Sequence, residues 1–358
     1  MRTLKQAKRI GFRQSKAGPQ LLKIDIFNHI FPKPFFDRMA ATVEDKGKIK
    51  RWLNIPFLHD IETRFRMLAE FGDDYRQILS LSAPPIEIMG SADETPDLAR
   101  LANDGMASLV DQYRGRFPGF VASLPMNNVA ASLAEMDRSV SELGAVGVQF
   151  FTNVNGQPLD RPEFKPLFDR VAELDSMIFL HPARGANVPD YVDEDKSLYE
   201  IWWSFGWPYE TSVAMQRLIF SGLFDRLPEI KILAHHLGAM APYFEGRLGP
   251  GLDQFGSRTA DEDYEGLLKR MKKRPVDYFK MFYADTATFG SRAATVCGLE
   301  FFDIDRIMFA SDAPFDPEGG SMYIRETIKV LDSLDISEED LTKIYQSNAQ
   351  RILGLELS

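Results

Sequence analysis

Cysteine and histidine are both scarce in this chain. Across 358 residues there is one cysteine, Cys297, and there are five histidines. A single thiol cannot close an internal disulfide, which excludes a disulfide-stapled scaffold and favours a reducing, cytoplasmic setting. No run approaches the roughly 18 uninterrupted apolar residues that span a bilayer, so no membrane crossing is expected. Positive charge is in deficit, with a net charge of −10. What clustering of it there is lies at the start, where Arg2, Lys5, Lys8, Arg9, Arg13 and Lys16 meet no acid. The remainder is therefore more acidic still and offers no basic face to a phosphate backbone, which excludes nucleic acid as a partner. Residues 1–20 lack the apolar core of a secretory signal and read as a basic, flexible extension ahead of a single domain at 21–358. No G-x-G-x-x-G follows the first strand-like run, so a dinucleotide-binding fold has no support.

What is present is a hydrophobic fraction of 44%, enough to bury a core that offsets the entropy of ordering the chain. Eight short β-rich runs predict strands, at 22–28, 76–81, 119–124, 145–151, 177–181, 231–234, 281–284 and 307–310. Between them lie helical patterns at 96–115, 130–143, 161–173, 209–224, 290–302 and 322–334. Continuous apolar runs such as Met177-Ile178-Phe179-Leu180 fit parallel strands covered on both faces. Eight βα units without a dividing linker predict an α/β fold of the (β/α)₈ TIM-barrel type. An insertion follows strand 1, at 31–72, and its charged run at 44–51 suggests a lid over the barrel mouth; a second addition lies at 249–273. Cys297 falls in the middle of a predicted helix, as an inert core residue.

In such a barrel the chemistry sits at the C-terminal ends of the strands. Four of the five histidines fall there: His29 after strand 1, His181 at the end of strand 5, and His235 and His236 after strand 6. Asp285 follows strand 7 and Asp312 follows strand 8, whereas His59 lies in the insertion. Imidazoles and carboxylates converging on one rim are what a divalent metal ion requires.

Six segments carry a resemblance: IDIFNHIFP (24–32), FLHPARG (179–185), KILAHHLGAMAPYFEGRL (231–248), YFKMFYADTAT (278–288), FASDAPFDPEGG (309–320) and SNAQRILGL (347–355). In this order and spacing they resemble the amidohydrolase-related family of metal-dependent decarboxylases, whose members act on 2-amino-3-carboxymuconate-6-semialdehyde and γ-resorcylate. The resemblance implies that His181 and Asp312 are metal ligands, joined by His29. It implies that His236 is the acid/base, with His235 able to exchange roles with it and Asp312 part of the catalytic machinery. Arg247 matches an arginine that reaches across a dimer interface to a substrate carboxylate. Arg64 resembles a second carboxylate-binding arginine, a use to which a planar, permanently charged fork is suited. Trp203, among the tryptophans after strand 5, is a candidate for the pocket wall.

One position departs from the pattern. Family metal sites open with H-x-H or E-x-H at the end of strand 1, but here the tripeptide is Phe27-Asn28-His29. Side chains alternate along a strand, so Phe27 shares a face with His29 and takes the absent ligand's place, where it would meet substrate. Asp25 lies about 13 Å further back at ~3.3 Å per residue and cannot substitute. His29, His181 and Asp312 still make a three-ligand site for one divalent ion, Zn or Mn.

The implied activity is non-oxidative decarboxylation of an aromatic or muconate-type carboxylic acid by a homodimer or a dimer-based tetramer. A hydrolase or hydratase acting on a lactone, amide or muconate, without metal because of Phe27, is the alternative. An inactive binding protein is the third reading.

Overall fold

The computed structural model describes residues 21–42 and 50–356. The basic extension and most of the charged run at 44–51 lie outside the described residues. Eight strands form one parallel sheet: β1 (Lys23–Ile30), β2 (Tyr75–Leu81), β3 (Gly119–Ser123), β4 (Gly147–Phe151), β5 (Met177–His181), β6 (Lys231–Ala234), β7 (Tyr283–Asp285) and β8 (Ile307–Met308). Each pairs with the next in sequence. The two ends of the sheet meet through Ile26 N–H to the Phe309 carbonyl (3.0 Å), His29 N–H to Ala313 (2.8 Å) and Asp312 N–H to Phe27 (3.1 Å). The expected TIM barrel is thus the fold.

The expected strand limits hold to within two residues, and the differences have local causes. β8 stops at Met308 because the Phe309 N–H turns to the Ile344 carbonyl (2.9 Å) and the Ala310 N–H to Thr286 Oγ1 (3.0 Å). The helix expected over 209–224 is Trp207–Phe220. It ends before Gly222, whose left-handed φ of 79° only glycine adopts cheaply, and a short turn, Leu223–Arg226, follows. Cys297 is half-buried on its helix rather than in the core. Among the described residues no helix is long and apolar enough to cross a membrane.

Apolar side chains fill the barrel, with Ile24, Ile26, Phe27, Ile78, Val121, Phe179, Leu233 and Met308 in one cluster. A larger cluster joins the strands to the surrounding helices. The insertion after β1 folds as helices Lys33–Thr42, Lys50–Leu53 and Ile61–Leu68. The last of these starts at Asp60, whose side chain accepts from the backbone N–H groups of Glu62 and Thr63, and it buries Arg64.

Arg64 corrects an expectation. Its guanidinium is fully buried behind β1 and donates to Gln77 Oε1 (3.0 Å), the His29 carbonyl (2.7 Å), the Phe57 carbonyl (3.3 Å) and Asn28 Oδ1. It does not line the cavity on the site and serves the backbone of the strand that carries His29. Burial pulls it down to about 10. Beside it, Asp25 accepts from Tyr75 Oη, Ser311 Oγ, Ser311 N–H and Phe27 N–H, so β1, β2 and the loop after β8 are tied together inside the barrel. Burial pushes the Asp25 carboxyl up to about 6 against these donors.

Replacing Arg64 by Met leaves Asn28 Oδ1, Gln77 Oε1 and the His29 carbonyl without that donor in the interior. A loss of about 3 kcal/mol or more is expected, read as a lower urea midpoint at unchanged slope. A residue that served only substrate would leave the midpoint where it is.

Candidate functional site

The site is assembled from strand ends. β1 delivers His29, β5 ends on His181, β6 runs directly into His235 and His236, β7 ends on Asp285, and the loop after β8 brings Asp312. His29, His181, His235, Asp285 and Asp312 are each no more than 5% exposed. The backbone is bent to place them. His236, Leu237 and Ala239 have φ of 57°, 54° and 55°, and Asp312 has 61°. Non-glycine residues in this left-handed region store strain that surrounding contacts have to hold. Within the same turn Gly238, at φ 73°, packs so close to Phe302 that a Cβ would lie 2.5 Å from the ring. Asp285 is the brace for the turn: Oδ1 accepts from Leu237 N–H (3.2 Å) and Ala287 N–H (3.0 Å), and Oδ2 meets His235 Nδ1 at 2.5 Å.

Hydrogen bonding fixes which ring nitrogens are free. His181 Nδ1 lies 2.7 Å from the Pro182 carbonyl, which can only accept, so Nδ1 carries the proton. His235 Nδ1 likewise donates to Asp285. Ser80 Oγ spends its proton on the Asn28 carbonyl (2.7 Å) and therefore accepts from His29 Nδ1 (3.2 Å). In all three rings Nε2 is left for the site. Two of them, with the ring of His236, meet Asp312: His29 Nε2 is 3.0 Å and His235 Nε2 3.5 Å from Oδ1, and His236 Nε2 is 3.4 Å from Oδ2.

The electrostatics follow. Burial would raise Asp312, but the imidazoles of His235, His236 and His29 beside it outweigh burial and hold the carboxyl well below its ordinary range. Burial drives His181 well down, helped by His29 and His235. His236 is also lowered, by burial and then by His235. Burial would lower His235 as well, but the charge and hydrogen bond of Asp285 push it up to about 9.

The residues fit a cation. His29, His181 and His235 bring ligand atoms within 4.8 Å of one another, as do His235, His236 and Asp312. With its Nδ1 directed to Ser80, His29 turns Nε2 to the carboxylate of Asp312. The expected ligands His29, His181 and Asp312 are spread over both groups.

A cavity of about 1400 Å³ opens on the site, and His181 and Asp312 line it with Trp202, Trp203, Trp207, Phe289, Phe315 and Tyr323. Trp203 is among the lining residues. Phe27 is not. It is fully buried, with its ring centroid 4.1 Å from that of His235, 5.4 Å from His29 and 5.8 Å from His181, so it packs among the histidines and does not line this cavity. Arg247 is exposed, 5.9 Å from the Phe244 ring, and does not line its own chain's cavity. His59 stacks on Phe36, away from the site.

Arg51 was missed. It lines the cavity, with its guanidinium 5.1 Å from the Phe315 ring centroid and 5.9 Å from Trp203. Its position in the charged run of the insertion was the available signal. Phe289, directly after the segment 278–288, and Phe315, within the segment 309–320, carried a comparable one.

The family described as amidohydrolase matches residues 32–355. The chain belongs to this family. Among its relatives, a γ-resorcylate decarboxylase from Polaromonas is 31% identical over 93% of this chain and 98% of the relative. A 2-amino-3-carboxymuconate-6-semialdehyde decarboxylase from Dictyostelium discoideum is 27% identical over 94% and 92%. A solved dihydroxybenzoic acid decarboxylase from Polaromonas, with bound manganese and the inhibitor 2-nitroresorcinol, superposes with a TM-score of 0.76 at 29% identity, covering 95% of this chain and 98% of that one. This amidohydrolase is an enzyme of the same superfamily.

A ligand that binds only the folded state raises stability by about 2.7 kcal/mol at one hundred times its Kd. Dialysis against a chelator followed by Mn²⁺ or Zn²⁺ is therefore expected to raise the thermal midpoint by a few degrees, with one ion per chain by elemental analysis. In Asp312→Asn both responses are expected to disappear.

Proposed function

We propose that this amidohydrolase is a divalent-metal-dependent, non-oxidative decarboxylase of an aromatic or muconate-type carboxylic acid. The observation that carries the reading is the joining of a buried imidazole–carboxylate cluster to a cavity walled by aromatic rings and holding the Arg51 guanidinium. Decarboxylases among the relatives support it.

In this reading His29, His181 and Asp312 hold the ion. When bound, the ion supplies positive charge that polarises substrate oxygens. The remaining work falls to the chain's own groups. Trp202, Trp203, Phe289 and Phe315 offer flat faces to a planar substrate. Among the described residues Arg51 Nη2 donates to the Phe315 carbonyl at 3.5 Å, and its planar guanidinium in the cavity wall suits a substrate carboxylate. His236, lowered by burial and set 3.4 Å from Asp312 Oδ2, carries the proton in this reading. It passes that proton to the carbon bearing the carboxylate, so that a C–H bond forms. The C–C bond to the carboxylate then breaks, its electron pair returns to the π-system, and CO₂ leaves. Water in the cavity restores the proton to His236. Arg247, exposed on its own chain, serves the neighbouring subunit of a homodimer.

A panel of hydroxybenzoates and muconates, followed for CO₂ release, tests the reaction; substrate loss without CO₂ would move the assignment to hydration or hydrolysis. His236→Ala is expected to lower kcat by about 10²–10⁴-fold with the bound ion retained. Arg51→Met is expected to raise KM roughly 10–100-fold, the worth of a charged hydrogen bond. Mixing Arg247→Ala with His236→Ala protein is expected to restore part of the activity, and subunit exchange without recovery would remove Arg247 from the site.

A further inference from the structure

His235 is the one residue common to both groups of converging ligand atoms, the His29–His181–His235 set and the His235–His236–Asp312 set. We infer that His235 takes over the ligand position that Phe27 vacates in strand 1, so that the cation is held by three imidazoles, those of His29, His181 and His235, together with Asp312. The inference rests on the metal-dependent reading above and names a ligand that reading does not contain.

Four observations carry it. First, His235 Nε2 is buried and has no hydrogen-bond partner, an exposed cost inside a protein unless something occupies it. It stands 3.5 Å from Asp312 Oδ1 without the alignment of a hydrogen bond. Secondly, the opposite ring nitrogen is held by the Asp285 carboxylate, which is the way ligating histidines are commonly oriented from behind. The His29 and His181 rings are held in the same sense, by Ser80 and by the Pro182 carbonyl, so three Nε2 atoms converge with the same tautomer. Thirdly, the backbone commits the residue to this place. The His235 N–H continues the β5–β6 ladder to the Leu180 carbonyl (3.3 Å), which sets His235 beside His181, and their ring centroids lie 5.3 Å apart. Fourthly, Phe27 fills the space below: its centroid is 4.1 Å from that of His235, and Phe179 packs on its other contacts at 5.5 Å. Phe27 and His235 are then a coupled pair, an apolar ring where strand 1 would have given a donor and an imidazole on strand 6 that gives the donor instead. Asp285 is a positioning residue in this arrangement, acting through the His235 ring.

A donor set of three nitrogens and one carboxylate has a chemical consequence. Imidazole suits zinc and cobalt, whereas manganese and magnesium are better served by oxygen. Zn²⁺ and Co²⁺ are expected to outcompete Mn²⁺ by a wider margin in this chain than in Phe27→Glu/His235→Ala, where an oxygen donor replaces a nitrogen.

The test uses the full chain, stripped of metal and titrated with Co²⁺, with the visible d–d spectrum and calorimetry as readouts. Wild type is expected to bind one Co²⁺. His235→Ala is expected to lose more than the roughly 10–100-fold that a supporting partner costs and to change the spectrum, whereas Asp285→Asn stays within that range. Phe27→His in the His235→Ala background is expected to recover affinity. An unaltered spectrum and affinity in His235→Ala overturns the proposal while leaving the metal reading in place, and wild type that binds no divalent ion overturns the metal reading itself. Since a cavity at position 235 can unfold the barrel, X-ray absorption of Zn-loaded wild type supplies a variant-free count: three imidazoles per zinc support the assignment, and two overturn it.

Discussion

A single buried carboxylate organises this molecule. Asp312 is 5% exposed, and an ion of that kind inside a protein is sustained only by partners that return what desolvation takes away. Three imidazoles do so, from β1 and from the segment after β6, and they can reach it only if the barrel closes. Closure is in turn made through Asp312 itself, whose N–H bonds the Phe27 carbonyl across the β1–β8 seam. The fold and the site are therefore one constraint: one of the three hydrogen bonds that shut the barrel also carries the anion to the histidines.

Behind that anion stand two further buried carboxylates with separate tasks. Asp285 faces the β6 end, where it fixes one tautomer of His235 and braces a turn whose residues sit at positive φ. Asp25 faces the β1 end, where Tyr75, Ser311 and the Phe27 amide converge on it, one residue away from Asp312 along the chain at Ser311. Arg64 completes this second layer by gripping the His29 carbonyl and Asn28. Removing charge from either layer would leave the ligand residues in the sequence while loosening the geometry that makes them a site, a dependence known for supporting residues in metal centres generally.

What could be read from the sequence follows from how far each feature depends on topology. The barrel and the rim histidines were legible because a strand's period and its C-terminal end are local properties, and the fold then gathers local ends into one place. Arg64 was misread for the opposite reason. Nothing local distinguishes an arginine that faces substrate from one that satisfies carbonyls behind a neighbouring strand, and the helix Ile61–Leu68 turns this one inward. Arg51 was obscured because the insertion has no regular period to say which of its charges points at the cavity. Phe27 was placed on the correct face, yet β1 shifts register between Asp25 and Asn28, and the ring lies among histidines instead of at the substrate surface.

Phe27 also changes the medium in which the site works. The apolar filling of the barrel ordinarily stops below the functional rim, but here it rises to it, with Phe27 joined to Phe179 beneath and in contact with His29, His181 and His235. An aromatic ring in place of a polar donor lowers the local dielectric, and interactions between the imidazoles and Asp312 strengthen accordingly. Burial draws His181 well down, and the neighbouring imidazoles hold Asp312 low against its own burial. A neutral imidazole beside a permanent carboxylate is the state in which a nitrogen lone pair is available to a Lewis acid.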